Sequence, residues 1–266
     1  MSHISVVFGA GDPEREAAIG LCQGAGASVH YATLGGARVT PSTAYKADGI
    51  EPPLPPDGTI IRFECDGPAF AGLSGVVVCD HHRPGDPGYG LPPEQYFAAS
   101  SVGQLLSEFE RLGLSSGDLE SPELNLNLVA AADHCLEAAY RGRCPGVDPD
   151  ALMQWRAASR AAFQKRTVEA IMADIEAARA RLRTAVFHGQ PYADLRDQHI
   201  PELPEAAARE GIPFLGAPRD RDGREKVVLM SAPPVLVQRF LDGDLVPGLV
   251  DLYGDPARGF AGGYLS

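Results

Sequence analysis

Short apolar runs separated by glycine and proline fill the first eighty residues, and this pattern predicts buried strands. Residues 4–8, 28–33, 59–63 and 75–79 each read as one. Between the first two, Gly9-Ala10-Gly11 makes a tight loop, Asp12 suits a helix cap, and Pro13 suits the first helical position. Residues 14–22 then read as a helix stopped by Gly24-Ala25-Gly26, which gives a β-α-β start. The stretch 35–58, rich in Gly, Pro, Thr and Asp, predicts a surface excursion able to act as a lid.

Helical spacing takes over after residue 100. Val102, Leu105, Leu106, Phe109 and Leu112 recur up to Gly113. Ser121-Pro122 opens a second helix with Leu124, Leu128, Val129, Ala132 and Leu136, which carries Asp133-His134 and closes near Gly142. From 149 to about 184 the chain is rich in Ala, Arg and Glu and predicts one long or two short helices. Beyond it, 185–188 suggests a strand and 202–210 a helix. Strands are expected at 211–215 and 226–230 around an Asp-Arg-Asp-Gly turn at 220–223, with a helix near 233–241. The expected fold is α/β. A parallel-sheet N-terminal domain with flanking helices spans 1–145, a helical linker 146–184, and a smaller α/β C-terminal domain 185–266.

Composition narrows the function classes. A chain of 266 residues, 44% hydrophobic and 22% charged, can build two ordinary domain cores. A net charge of -12 argues against a long nucleic-acid groove, but a bound metal could still reverse the field locally for a small anionic substrate. Five cysteines without a C-x-x-C pair support neither a disulfide framework nor a structural zinc site. Residues 1–5 do not resemble a signal peptide, and no apolar run is long enough for a membrane span. A reduced, cytoplasmic compartment is the expectation, and a homodimer is left open.

Candidate chemistry centres on Val76-Val77-Val78-Cys79-Asp80-His81-His82 and the Gly/Pro-rich loop that follows. A buried strand ending in three ionisable residues marks the strand end where open α/β sheets bind ligands, and Asp with His can bind a divalent metal or move protons. A dinucleotide fingerprint fits poorly, because Glu14 stands where the third glycine after Gly9 and Gly11 belongs. A zinc site from His81, His82, His134 and Cys135 lacks the spacing of known zinc hydrolases and deaminases, and no G-x-S-x-G elbow is present.

The strand ending in Asp80-His81-His82, followed by Ala99-Ser100-Ser101-Val102-Gly103-Gln104, resembles the DHH phosphoesterase superfamily, with Asp133 at the place of that family's fourth aspartate motif. Asp12-Pro13-Glu14 is similar to its first motif, with Phe8 at the histidine position and Glu14 for the second aspartate. Glu64 and Asp66 are the candidates for the second motif, Asp66 being the one taken as ligand. The C-terminal Arg258-Gly259-Phe260-Ala261-Gly262-Gly263-Tyr264 resembles a Gly-Gly-His signature with Tyr264 in place of histidine.

The resemblance implies a metal-dependent phosphoesterase holding one or two Mn2+ or Mg2+ ions. It would cleave a phosphodiester or phosphoanhydride in a small nucleotide, a cyclic dinucleotide product or a short oligonucleotide. Asp12, Asp66, Asp80, His81 and Asp133 would hold metal, and Asp80 and His82 would be catalytic. His82, Arg83, Arg258, Gly262 and Gly263 would bind substrate. The alternative is a nucleotide-binding or regulatory relative without hydrolytic activity. Each acid also has a plain structural role open to it: a helix cap for Asp12, a turn for Glu64 and Asp66, and a solvent or arginine partner for Asp133.

Overall fold

A computed structural model describes residues 3–114, 125–219 and 224–265. The expected helix start at Ser121-Pro122 and the turn at 220–223 lie outside them. The elements are β1 (Ile4–Phe8), α1 (Pro13–Ala25), β2 (Ser28–Leu34), β3 (Ala37–Arg38), β4 (Gly49–Glu51), β5 (Thr59–Phe63) and β6 (Val77–Cys79). Next come α2 (Tyr96–Ala99), α3 (Ser101–Arg111), α4 (Leu126–Tyr140), α5 (Pro149–Gln164) and α6 (Val168–Arg183). The chain continues through β7 (Ala193–Asp194), α7 (Leu203–Glu210), β8 (Phe214–Gly216), β9 (Lys226–Met230), α8 (Pro234–Leu241), β10 (Leu249–Asp255) and β11 (Phe260–Leu265). The fold is α/β in two compact units. One comprises 1–134 with 144–147, the other 135–143 with 148–266.

In the first unit β2, β1, β5 and β6 lie side by side, all parallel, while β3 and β4 pair antiparallel with β2. Val6, Val7 and Phe8 of β1 are wholly buried, as a central parallel strand covered on both faces requires. The chain leaves β1 toward β2 on one side and returns as β5 on the other. The strand order therefore reverses between β1 and β5, which is the switch point where such sheets open a crevice at their carboxyl ends. Asp12 caps α1 by accepting from the Arg15 N–H at 2.7 Å, and Gly26 ends that helix with φ of 67°. The expected lid at 35–58 is partly regular. β3 and β4 extend the sheet, a 3-10 turn at 44–46 lies between them, and Val39, Ala44 and Ala47 pack with Val7, Ala32 and Cys65.

In the second unit the sheet order is β10-β11-β9-β8-β7, antiparallel except for β7 with β8. The span 146–184, expected as a linker, forms α5 and α6. Ala178 and Leu182 of α6 enter a core with Leu203, Ala206 and Phe214, so α6 belongs to this unit's packing. No strand forms at 185–188. Val186 is 65% exposed and no neighbouring strand pairs there, so an apolar pair alone does not make a strand. The sheet gains β7, β10 and β11 instead. Among the described residues no helix is long and apolar enough to cross a membrane.

Candidate metal centre

Two strand ends and three helices bring the polar residues together: Glu64 follows β5, Asp80-His81-His82 follow β6, Glu14 lies on α1, Ser101 opens α3 and Asp133 lies on α4. At the end of β1, Gly9 lets the chain turn against β5, since a Cβ there would lie 2.0 Å from the Glu64 carbonyl oxygen. Glu64, just past β5, has φ of 51°, a left-handed conformation that costs a non-glycine residue about 1–3 kcal/mol and that surrounding contacts must hold. The start of α3 supplies such contacts. Ser101 Oγ donates to Glu64 Oε1 at 2.8 Å, and the Val102 N–H donates to Glu14 Oε1 at 2.9 Å. The helix N-terminus thus steers two carboxylates, an arrangement its dipole favours.

His81, at the end of β6, is fully buried and stands between them. Its Nε2 lies 2.7 Å from Asp133 Oδ2 and 3.6 Å from Glu64 Oε1. Glu14, Glu64, His81 and Asp133 each offer one ligand atom, all within 4.8 Å of one another. Glu64, His81 and His82 form an overlapping set. The four residues fit a divalent metal on a further observation: Glu14 Oε2 is buried without a donor from the backbone or from a basic side chain, and its carboxyl neighbour is Glu64, another acid. Mixed imidazole and carboxylate donors suit a first-row divalent ion.

The electrostatics agree. Burial, reinforced by Asp133 and Glu64, pushes the Glu14 carboxyl well above its ordinary range. Burial lifts Glu64 to about 8 against the pull of His82, with Asp12 and Asp133 adding to the rise. Burial and then Asp133 raise Asp12 to about 6. Acids gathered in this way repel one another until protons or a cation neutralise them.

Asp80 has a different task. Its carboxylate accepts from the Tyr45 hydroxyl at 3.0 Å, from the His81 and His82 N–H groups at 2.8 and 3.1 Å, and from His82 Nδ1 at 3.0 Å. Burial works to raise its pKa, but the hydrogen bonds and charge of His82 and the Tyr45 hydroxyl carry it below the usual value. With those acceptor sites filled by donors, Asp80 lies outside both ligand sets and orients His82, whose side chain is 34% exposed.

The remaining expected residues divide. Asp12 lies close enough to Asp133 and His82 to feel both charges, yet its Oδ1 is used on the helix cap and it is in neither ligand set. Asp66 is turned away. It pairs with Arg62 and accepts from the Gly67 N–H at 2.8 Å, and Glu64 takes the position at the strand end. The Arg83 guanidinium stacks 3.5 Å over the Tyr45 ring. Gly262 and Gly263 belong to the second unit, inside β11; Gly262 lies between Tyr253 of β10 and Val228 of β9, whereas Gly263 pairs with Val227 of β9 beside an irregularity in β10. They are glycines because a Cβ at Gly262 would lie 2.3 Å from Tyr253 Oη, and one at Gly263 2.8 Å from Leu252. Arg258 packs on Phe260, with its Cζ 5.3 Å from the ring centre. Tyr45 was not among the expected residues; Glu14 was recognised at the second aspartate position of the first motif but not counted as a ligand, and its burial beside Glu64, His81 and Asp133 is what brings it into the candidate set.

The chain matches no family model, no curated protein and no solved structure.

Proposed function

We propose that the chain is a divalent-metal-dependent phosphoric ester hydrolase of DHH type. The substrate would be a small nucleotide, a cyclic dinucleotide product or a short oligonucleotide, and the ion Mn2+ or Mg2+. The observation that carries this reading is the convergence of Glu14, Glu64 and Asp133 on His81 at the strand-order reversal of a parallel sheet. Glu14, Glu64, His81 and Asp133 would hold the ion. When bound, it would stabilise charge on phosphoryl oxygens and make a nearby water more acidic.

The chain's own residues account for the leaving group. Asp80 accepts from His82 Nδ1, which fixes the ring and stabilises its imidazolium. Nε2 is then the nitrogen that can hand over a proton. As the water oxygen bonds to phosphorus and releases one proton to solvent, the bond from phosphorus to the leaving oxygen breaks, that oxygen takes the His82 Nε2 proton, and His82 is reprotonated from solvent. The net charge of -12 favours substrates with few phosphates over long nucleic acid.

One observation favours a second reading, a nucleotide-binding or regulatory protein that does not turn over. Phe8, at the position where the resemblance has a histidine, is wholly buried with its ring 5.1 Å from that of Phe63. Mn2+ binding together with hydrolysis of bis-p-nitrophenyl phosphate supports the enzyme. Binding of Mn2+ and of nucleoside monophosphates without turnover would support the second reading.

A further inference from the structure

His134 follows a candidate ligand on α4 and takes no direct part in the chemistry above. It is 2% exposed, its Nε2 lies 2.9 Å from the Leu91 carbonyl oxygen, and its Nδ1 lies 3.0 Å from His81 Nδ1. A carbonyl oxygen has no hydrogen to give, so Nε2 of His134 is the donor in that contact. In neutral His134 the other nitrogen, Nδ1, is then an acceptor, and the hydrogen between the two rings resides on His81 Nδ1. That leaves the lone pair of His81 Nε2 facing Asp133 Oδ2 at 2.7 Å and Glu64 Oε1 at 3.6 Å. A lone pair against two carboxylates is repulsive until a proton or a metal cation stands among them, and this tautomer is the one that leaves Nε2 available to a metal.

We infer that His134 is a positioning residue that, through the Leu91 carbonyl, fixes His81 as the Nδ1–H tautomer and so presents Nε2 to a metal ion. The inference rests on the metal reading above and deepens it. Outer partners of this kind hold a ligand ring in place and raise its basicity, and their loss typically weakens metal binding 10–100-fold. The two rings lie 5.1 Å apart at 31° to each other, and both are buried, so bulk water has no ready route to replace the contact.

Two substitutions and one spectrum test it. His134→Leu removes the acceptor and should weaken Mn2+ binding about 10–100-fold in a titration followed by the EPR signal of free Mn2+. His134→Asn keeps an acceptor oxygen near the Nδ1 position and should stay within about threefold of the parent, since the hydrogen bond survives. In the unsubstituted protein loaded with diamagnetic Zn2+, 15N spectra should show hydrogen on His81 Nδ1 and none on Nε2. Equal effects of Leu and Asn, no effect of either, or a hydrogen on Nε2 of the loaded protein would each overturn the inference. Turnover that fails while metal binding follows this pattern would remove the hydrolase reading and leave His134 its role. Turnover that persists while binding ignores residue 134 would do the reverse.

Discussion

Glu205 in the second unit and Glu64 in the first are both buried glutamates, 1% and 6% exposed. Glu205 accepts from Arg156 Nε and Nη2 at 3.0 and 2.7 Å and from the Tyr140 hydroxyl. Although burial works to raise its pKa, the guanidinium holds it below the ordinary value. Glu202 pairs with Arg160, and Glu210 with Arg179 and Arg183, in the same fashion. Around Glu64 burial wins, and its carboxyl rises to about 8. Among the described residues no lysine or arginine forms an ion pair with Glu14 or Glu64. Around Glu205 the countercharge lies in the chain, whereas Glu14 and Glu64 are gathered with Asp133 and His81 in a group that could hold a cation.

That contrast can be broken most directly by removing one acid from each unit. Glu205→Gln should destabilise the protein by about 1–3 kcal/mol in urea unfolding, because it removes the buried carboxylate to which Arg156 and Tyr140 donate. Glu64→Gln should act with the opposite sign on the metal-free protein, raising its Tm, while weakening Mn2+ binding by about 10–100-fold. If Glu64→Gln lowers Tm as Glu205→Gln does, the first unit's acids are satisfied within the chain and the contrast fails.

Next in size is the response to metal. Saturating Mn2+ at about a hundred times its Kd should stabilise the protein by about 2.7 kcal/mol, read as a rise in Tm that EDTA reverses. No shift would remove the metal centre.

The pH dependence follows from the same acids. The carboxyls of Asp12 and Glu64 titrate near 6 and 8 when folded, above their unfolded values near 4. The folded state therefore binds more protons than the unfolded state between those limits, and metal-free stability falls as pH rises through 6 and 8. Glu205, with a depressed pKa, gives stability that is present above its unfolded value and lost only in more acid solution. Bound metal should flatten the alkaline fall, and a Tm in EDTA that climbs from about pH 5 to 8 would contradict the assignment.

The smallest effect expected is that of Asp66→Asn. It should leave Mn2+ affinity within about twofold, since Asp66 pairs with Arg62 outside the ligand set.

The parallel strands were legible because central strands buried on both faces must be apolar, and Val6, Val7 and Phe8 are. β10 and β11 were not, since residues 251–253 are exposed and β11 is half glycine and alanine. Val186 misled in the other direction, because strand propensity without a partner has nothing to pair with. At the site, Asp80-His81-His82 and Asp133 stood out as polar residues after apolar ones. Glu64 against Asp66 could not be decided from sequence. Both follow the same strand, and only the left-handed turn at Glu64 and the Ser101 hydroxyl separate the one facing inward from the one held by Arg62.

The division of the chain has a consequence for its synthesis. Residues 144–147 return to the first unit after 135–143 have joined the second, and the Tyr96 hydroxyl donates to the Pro145 carbonyl at 3.2 Å. No single cut releases either unit whole. On a ribosome, which delivers the chain from its N-terminus, all four candidate ligands and the segment that completes their unit have emerged once residue 147 is out. Residues 135–143 must wait for the rest of their own unit. The first unit can therefore close around its candidate ligands before the residues from 148 onward have all emerged to build the second.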